Sequence, residues 1–278
     1  MHSMDNESAA SSEPPTASLA RTQRIDLSHD ARLSPTIERS EGESIPAFEV
    51  KFVIPEETAC ELEKWAIKHL HRDAFADLDN GGSYQTTTLY LDTPNLDVFH
   101  KTPGYAGQKF RLRRYGEGHR IFLERKSRKG NQVRKKRSDI QMDDLRIFEF
   151  DGAPVDWAGL WFRDRITSQS LQPTCRITYQ RTAFIGNSDN GPVRLTFDRQ
   201  IRGVATKDWH LPVVDLAADQ PQGILAGRVI CEFKFRDVLP KLFQDTILSM
   251  NLQEGSLSKY GHVMTAAGWT RKERSGNA

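Results

Sequence analysis

Lys109-Phe110-Arg111-Leu112-Arg113, then Tyr115-Gly116-Glu117-Gly118, then Ile121-Phe122-Leu123-Glu124-Arg125-Lys126 is the stretch that decides the fold. Its first five residues alternate cationic with apolar side chains. Successive side chains of a β-strand point to opposite faces, so this run predicts a strand with one apolar and one wholly basic face. The glycines at 116 and 118 supply a hairpin turn, and residues 121–126 form the returning strand. Lys129-Gly130-Asn131 marks another turn, into 133–137. One basic strand face is ordinary, because half-exposed strands often turn charge to water. Several are not, because like charges opposite one another on neighbouring strands repel.

The pattern recurs along the chain. Phe48-Glu49-Val50-Lys51-Phe52 alternates in the same way, and 86–92, 176–181, 193–198 and 229–235 are further β-rich runs. Lys51, Lys109, Arg111, Arg113, Lys126, Arg194 and Lys234 all fall on alternating positions. Two helices are predicted: one opened by Pro55-Glu56-Glu57 and running to about Leu70, the other over about 239–251. About eight strands with few long helices make a mainly β (α+β) protein, either a large antiparallel sheet or a barrel. In a barrel the basic faces can line a lumen, where an anionic ligand offsets their repulsion.

Hydrophobic content of 37% and charged content of 27% are those of a globular chain. The net charge of +2 points to no partner, but its distribution does. Residues 1–46 carry eight acids against four Arg and lack Phe, Tyr, Trp and Lys, whereas 101–137 carry fourteen Lys or Arg against Glu117 and Glu124. The first segment has too little apolar surface to offset its ordering entropy and is expected to be disordered. Residues 47–268 are expected to form one domain, followed by a flexible tail over 269–278. Cys60, Cys175 and Cys231 are scattered, without CxxC spacing, which suggests reduced thiols and a cytoplasmic setting. No apolar leader or run of about 18 apolar residues occurs, so no membrane span is expected.

Carboxylates punctuate the basic faces: Glu49 near Lys51, Glu124 near Lys126, Glu232 near Lys234, and Asp198 in line with Arg194. Each is either a cross-strand ion pair or a seat for a hard divalent cation whose shell phosphate oxygens complete. No GxxxxGK[ST], GxSxG or HExxH motif is present. Few aromatics lie within 125–137 for base stacking, so nucleic acid is not expected as a partner.

Eight short motifs in order carry a family resemblance: Glu-Val-Lys at 49–51, Tyr-Leu-Asp-Thr at 90–93, Arg-Leu-Arg-Arg-Tyr at 111–115, Phe-Leu-Glu-Arg-Lys at 122–126, Tyr-Gln-Arg-Thr-Ala-Phe at 179–184, Val-Arg-Leu-Thr-Phe-Asp at 193–198, Glu-Phe-Lys at 232–234 and Ser-Lys-Tyr at 258–260. Over 47–265 the chain resembles the catalytic domain of vacuolar transporter chaperone (VTC) polyphosphate polymerases, within the triphosphate-tunnel (CYTH-like) superfamily. The resemblance implies a closed eight-stranded antiparallel β-tunnel with flanking helices. It further implies transfer of the γ-phosphate of ATP to a polyphosphate chain with Mn²⁺ or Mg²⁺. Lys51, Arg111, Arg113, Lys126, Arg181, Arg194 and Lys259 would then hold phosphates, and Glu232 the metal. Glu49 and Glu124 would lie beside them, with Lys135 or Arg137 as a further contact from the basic arm.

Three departures bear on this. Other branches of the superfamily begin Glu-x-Glu-x-Lys, but Ala47 replaces the first glutamate here, which favours polymer synthesis over hydrolysis. Alternation over 176–181 puts Arg176, Thr178 and Gln180 on the polar face, opposite in parity to Arg181, so a bulge or strand end near Tyr179 is expected. Eukaryotic members often carry an inositol-phosphate-sensing domain and a membrane anchor. Neither is legible here, which leaves room for a membrane-protein partner.

Overall fold

A computed structural model describes residues 25–26, 42–43, 47–76, 81–129, 132–150, 152–212, 222–255 and 257–270. The expectations for 1–46 and 269–278 therefore lie outside the described residues, apart from 25–26, 42–43 and 269–270. Eight strands build the body: β1 (Ala47–Pro55), β2 (Ser83–Asp92), β3 (Gln108–Tyr115), β4 (Arg120–Lys129), β5 (Gln132–Gln141), β6 (Gln172–Ser188), β7 (Gly191–Ala205) and β8 (Arg228–Phe235). Their order is β6-β2-β3-β4-β5-β1-β8-β7, and β7 pairs back onto β6. Every neighbouring pair is antiparallel, so the sheet closes on itself and leaves no open edge. The narrowest seam joins β1 to β5 through Ala47↔Val133 and Phe48↔Gln132.

On β1 and β3 the apolar parity faces outward into the core, through Phe48, Val50 and Phe52 and through Phe110 and Leu112. α1 (Glu56–His69) begins after Pro55 with two glutamates in its first turn and buries Ala59, Leu62 and Ala66. It packs with Phe52, Ile54, Val229 and Cys231 of β1 and β8. α3 (Leu160–Gln169) buries Phe162, and α4 (Lys241–Ser249) adds Phe243, whose ring meets Phe233 edge-on at 4.8 Å. Cys175 and Cys231 are buried core residues and Cys60 is exposed. Among the described residues no helix is long and apolar enough to cross a membrane.

The Tyr-Leu-Asp-Thr motif gains a structural role. After β2 the chain turns through a short helix, α2 (Asp97–His100). The buried Asp92 carboxylate accepts the backbone N–H groups of Thr93, Val98 and Phe99 at 2.7, 2.8 and 2.9 Å, and the Tyr260 hydroxyl at 2.6 Å. Tyr260 is the second residue of α5 (Lys259–Ala266), whose Val263 presses on Gly203 of β7 closely enough to leave no room for a Cβ. Asp92 and Gly203 thus fix the helix that carries Lys259 to one mouth of the tunnel.

Candidate active site

The inward parity puts Glu49 and Lys51 of β1, Lys109, Arg111 and Arg113 of β3, Lys126 of β4, Lys135 of β5, Arg181 of β6, and Glu232 and Lys234 of β8 around one void, with Lys259 at its mouth. Three carboxylates organise these cations. Glu124, with no exposed surface, accepts from Arg111 at 2.6 Å and lies 2.8 Å from Lys135, 3.5 Å from Arg137 and 4.0 Å from Arg113. Glu49 takes Lys126 at 2.7 Å and Lys51 at 3.1 Å, with Lys234 at 4.0 Å. Asp198 accepts two bonds from Arg181, at 2.6 and 2.8 Å, and a third from Lys259. Burial alone would push each carboxyl up. The surrounding cations outweigh it and hold Glu49, Glu124 and Asp198 below the usual carboxylate range.

Glu232 differs. Its side chain is 21% exposed, against 3% for Glu49, 0% for Glu124 and 3% for Asp198, so it is the most accessible of these carboxylates at the void. It lies 2.9 Å from the Lys51 ammonium, which sits between Glu232 and Glu49. Burial and Glu49 push Glu232 up, yet Lys51 and Lys126 bring it below its ordinary value. No group of three or more His, Cys, Asp or Glu side chains gathers among the described residues. An all-protein metal cage is therefore not the mode on offer there. One or two hard carboxylate oxygens, completed by phosphate oxygens and water, do fit a Mg²⁺-like ion.

The cations exceed the carboxylates, and the excess is costly without a ligand. Burial, then repulsion from Lys126, Lys51, Arg111 and Lys259, brings Lys109 well below the usual lysine range. Its ammonium bonds the Ser258 hydroxyl at 3.2 Å. Burial, with Lys51 and Arg111 adding to it, outweighs Glu49 and lowers Lys126 to about 8. Protonated below that value, Lys126 attracts an anion; deprotonated above it, it does not. Affinity for inorganic triphosphate should therefore fall several-fold from about pH 7 to about pH 9, with net proton uptake on binding near pH 8. Calorimetry in buffers of different ionisation enthalpy measures both.

The alternation separates the 134–137 run. Lys135 and Arg137 point inward to Glu124, whereas Arg134 is exposed and Lys136 lies over the Trp161 ring. For Arg181 the expected irregularity does exist, but on the partner strand. Between Arg199↔Gln180 and Arg202↔Thr178 the register of β7 slips, and Gln200 there has φ of +48°. Along β6 the pairing with β2 is unbroken from Thr182 to Cys175, so Tyr179 and Arg181 share the lumenal parity. Arg176, Thr178 and Gln180 therefore lie on the other face, contrary to expectation. Arg194 is inward too, yet its guanidinium is bound by Asp73 and by the Tyr84 hydroxyl at 3.1 Å. Lys109 and Lys234 carried the alternation signal without being singled out as site residues. Asp73 stands in a loop, where no periodicity marks it.

A family model described as the VTC domain matches residues 47–267. The chain belongs to the VTC domain family. No curated protein is significantly similar in sequence. Solved structures with a distantly similar fold include a candidate adenylate cyclase from Bacillus halodurans (11% identity, 78% of this chain and 95% of that one, TM-score 0.47). Another is a protein from Pyrococcus horikoshii (12%, 80% and 99%, TM-score 0.42). A third is a candidate adenylyl cyclase from Hippeastrum, described as having a dominant triphosphatase activity (11%, 81% and 96%, TM-score 0.43). The family assignment rests on the VTC match, not on these remote likenesses. In this VTC domain the ordered motifs converge: all but Tyr-Leu-Asp-Thr supply charged side chains to the lumen, and that one fixes α5 beside it.

Proposed function

We propose that this VTC domain is a polyphosphate polymerase, which moves the γ-phosphate of ATP onto the end of an inorganic polyphosphate chain held in the lumen. The observation that carries the reading is the excess of inward cations around a void reached by a single semi-exposed carboxylate, Glu232. Such a surface suits a repeating polyanion. It offers guanidinium and ammonium donors at successive levels. Phosphoryl transfer asks little covalent chemistry of a protein; positioning and charge neutralisation do most of the work. Arg111, Arg113, Arg181, Lys51, Lys126 and Lys259 clamp donor and acceptor phosphates in line, while Glu124, Glu49 and Asp198 hold those clamps at fixed separations. The acceptor is a terminal phosphate oxygen, anionic near neutral pH, so no general base is needed. A divalent cation at Glu232, Mn²⁺ or Mg²⁺, would neutralise charge on the transferring group. ATP as donor accords with a cytoplasmic setting, and a membrane protein could take up the product.

Ala47 lines the void where other tunnel branches have a glutamate, leaving Glu49 and Glu232 as the acidic pair. With fewer carboxylates to hold cations and water, transfer to phosphate is favoured over transfer to water. Incubation of purified protein with ATP and Mn²⁺, resolved on a gel, tests this. A ladder of polyphosphate is expected. Orthophosphate released from triphosphate without a ladder would make the protein a hydrolase. Neither product, across several metals, would make it a binding module.

A further inference from the structure

The two ends of the tunnel are built differently. At the end beside α5 the void is lined by Lys109, Lys126 and Lys259. At the other end the inward positions are Tyr84, Tyr115 and Phe122, and the ring of Phe75, from the segment after α1, lies on Tyr115 at 5.5 Å and 27°. The same segment brings Asp73 onto Arg194. It is pinned by the Asp73 N–H to the Ala183 carbonyl at 2.9 Å and by the Phe75 N–H to the Asp73 carboxylate at 3.1 Å. Arg194 lies four residues before Asp198 on β7 and pairs with Lys234, which lines the void, while Arg194 itself stands outside that lining.

From Tyr90 to Tyr84, the lumenal ends of β2, is six residues, about 20 Å along the strand and less along the axis of a tilted barrel. A triphosphate held by Arg111, Arg113 and Arg181 does not fill that length. A longer chain does, and its next anionic group arrives at Arg194, where a carboxylate already sits. Carboxylate and phosphate compete for the same planar fork of donors.

We propose that Asp73 is a built-in stand-in for a phosphate group, which holds the far mouth shut on Arg194 until a phosphate chain longer than the clamps displaces it. Asp73 is then a length-sensing positioning residue and Arg194 the last phosphate subsite, with the Phe75 segment lifted as the chain threads out. The inference rests on the lumen as the seat of a phosphate chain, but not on polymer synthesis.

Binding of inorganic tripolyphosphate and of long-chain inorganic polyphosphate to the full chain, without ATP, tests it. Asp73→Asn should bind the long chain about tenfold more tightly, by release of one competing charge-assisted bond, with tripolyphosphate affinity unchanged. No gain for the long chain, or an equal gain for both ligands, overturns the proposal. In the wild-type protein the Asp73 amide should lose hydrogen-exchange protection with the long chain and keep it with tripolyphosphate. Protection unchanged by bound long chain overturns it as well. A protein that binds these ligands as expected yet makes no ladder from ATP would refute the polymerase and leave the displaced carboxylate standing.

Discussion

Glu124→Gln should destabilise the protein by about 3–5 kcal/mol, the usual result of removing one partner from a buried ionic network. Glu124 has no exposed surface, and Arg111, Lys135, Arg137 and Arg113 converge on it within 4.0 Å. Glutamine keeps the shape but removes the charge and points an amide N–H₂ at cations. Unfolding monitored by calorimetry should show a midpoint lowered by about 10 °C for a domain of this size. The acid limb should change as well. The Glu124 carboxyl is held below its ordinary value in the folded state, so its contribution is present above the unfolded value of about 4.3 and lost as pH falls through the folded one. The variant lacks that loss and should unfold less steeply in acid. Saturating tripolyphosphate should narrow the gap, because its oxygens replace the missing counter-charge. A variant as stable as wild type would mean that the four cations are held by something other than Glu124.

Lys51→Ala should lower ATP-dependent polymer synthesis by about 10²- to 10³-fold, the range for removal of one preorganised electrostatic group. Lys51 faces the void between Glu232 and Glu49, which keep its ammonium protonated well above the ordinary range despite burial. Its loss removes a phosphate clamp and brings two carboxylates face to face without the cation between them. Glu232→Gln should cost a comparable factor, and extra Mn²⁺ should not restore it, because the amide is a poorer ligand for a hard cation. Steady-state rates of ladder formation, with unfolding midpoints to confirm folding, measure both. If the two variants retained full synthesis, the roles given to Lys51 and Glu232 would be wrong.

Much of this was legible in the chain itself. Alternation over Lys109 to Arg113, and again at Glu49 and Lys51, identified the basic parity because cationic side chains on a strand leave only one face for the core. The same parity rule divides Lys135 and Arg137 from Arg134 and Lys136, a division the contacts with Glu124 make plain. Closure was legible only through the ordered motifs of the family resemblance: it depends on β7 pairing with β6 and on two residue pairs between β1 and β5, and pairing partners leave no trace in a strand's own pattern. The face of Arg176 was misread because it is a cation on the outer parity that is nevertheless 4% exposed, so polarity and burial there disagree. Asp73 was invisible for a different reason. It acts through its position after α1, and loops have no period to betray which way a side chain turns. Strand residues were thus readable from local chemistry, and the residues that close or cap the tunnel were not.

The central claim is that the lumen, and not the outer basic surface, grips the phosphate chain. The direct measurement is tripolyphosphate affinity by calorimetry for wild type, Arg111→Ala and Arg134→Ala, the last an exposed arginine one position from the lumenal Lys135. A lumenal site requires Arg111→Ala to weaken binding by about tenfold or more, and Arg134→Ala to leave it unchanged. Binding that is weakened by Arg134→Ala and retained in Arg111→Ala would contradict it.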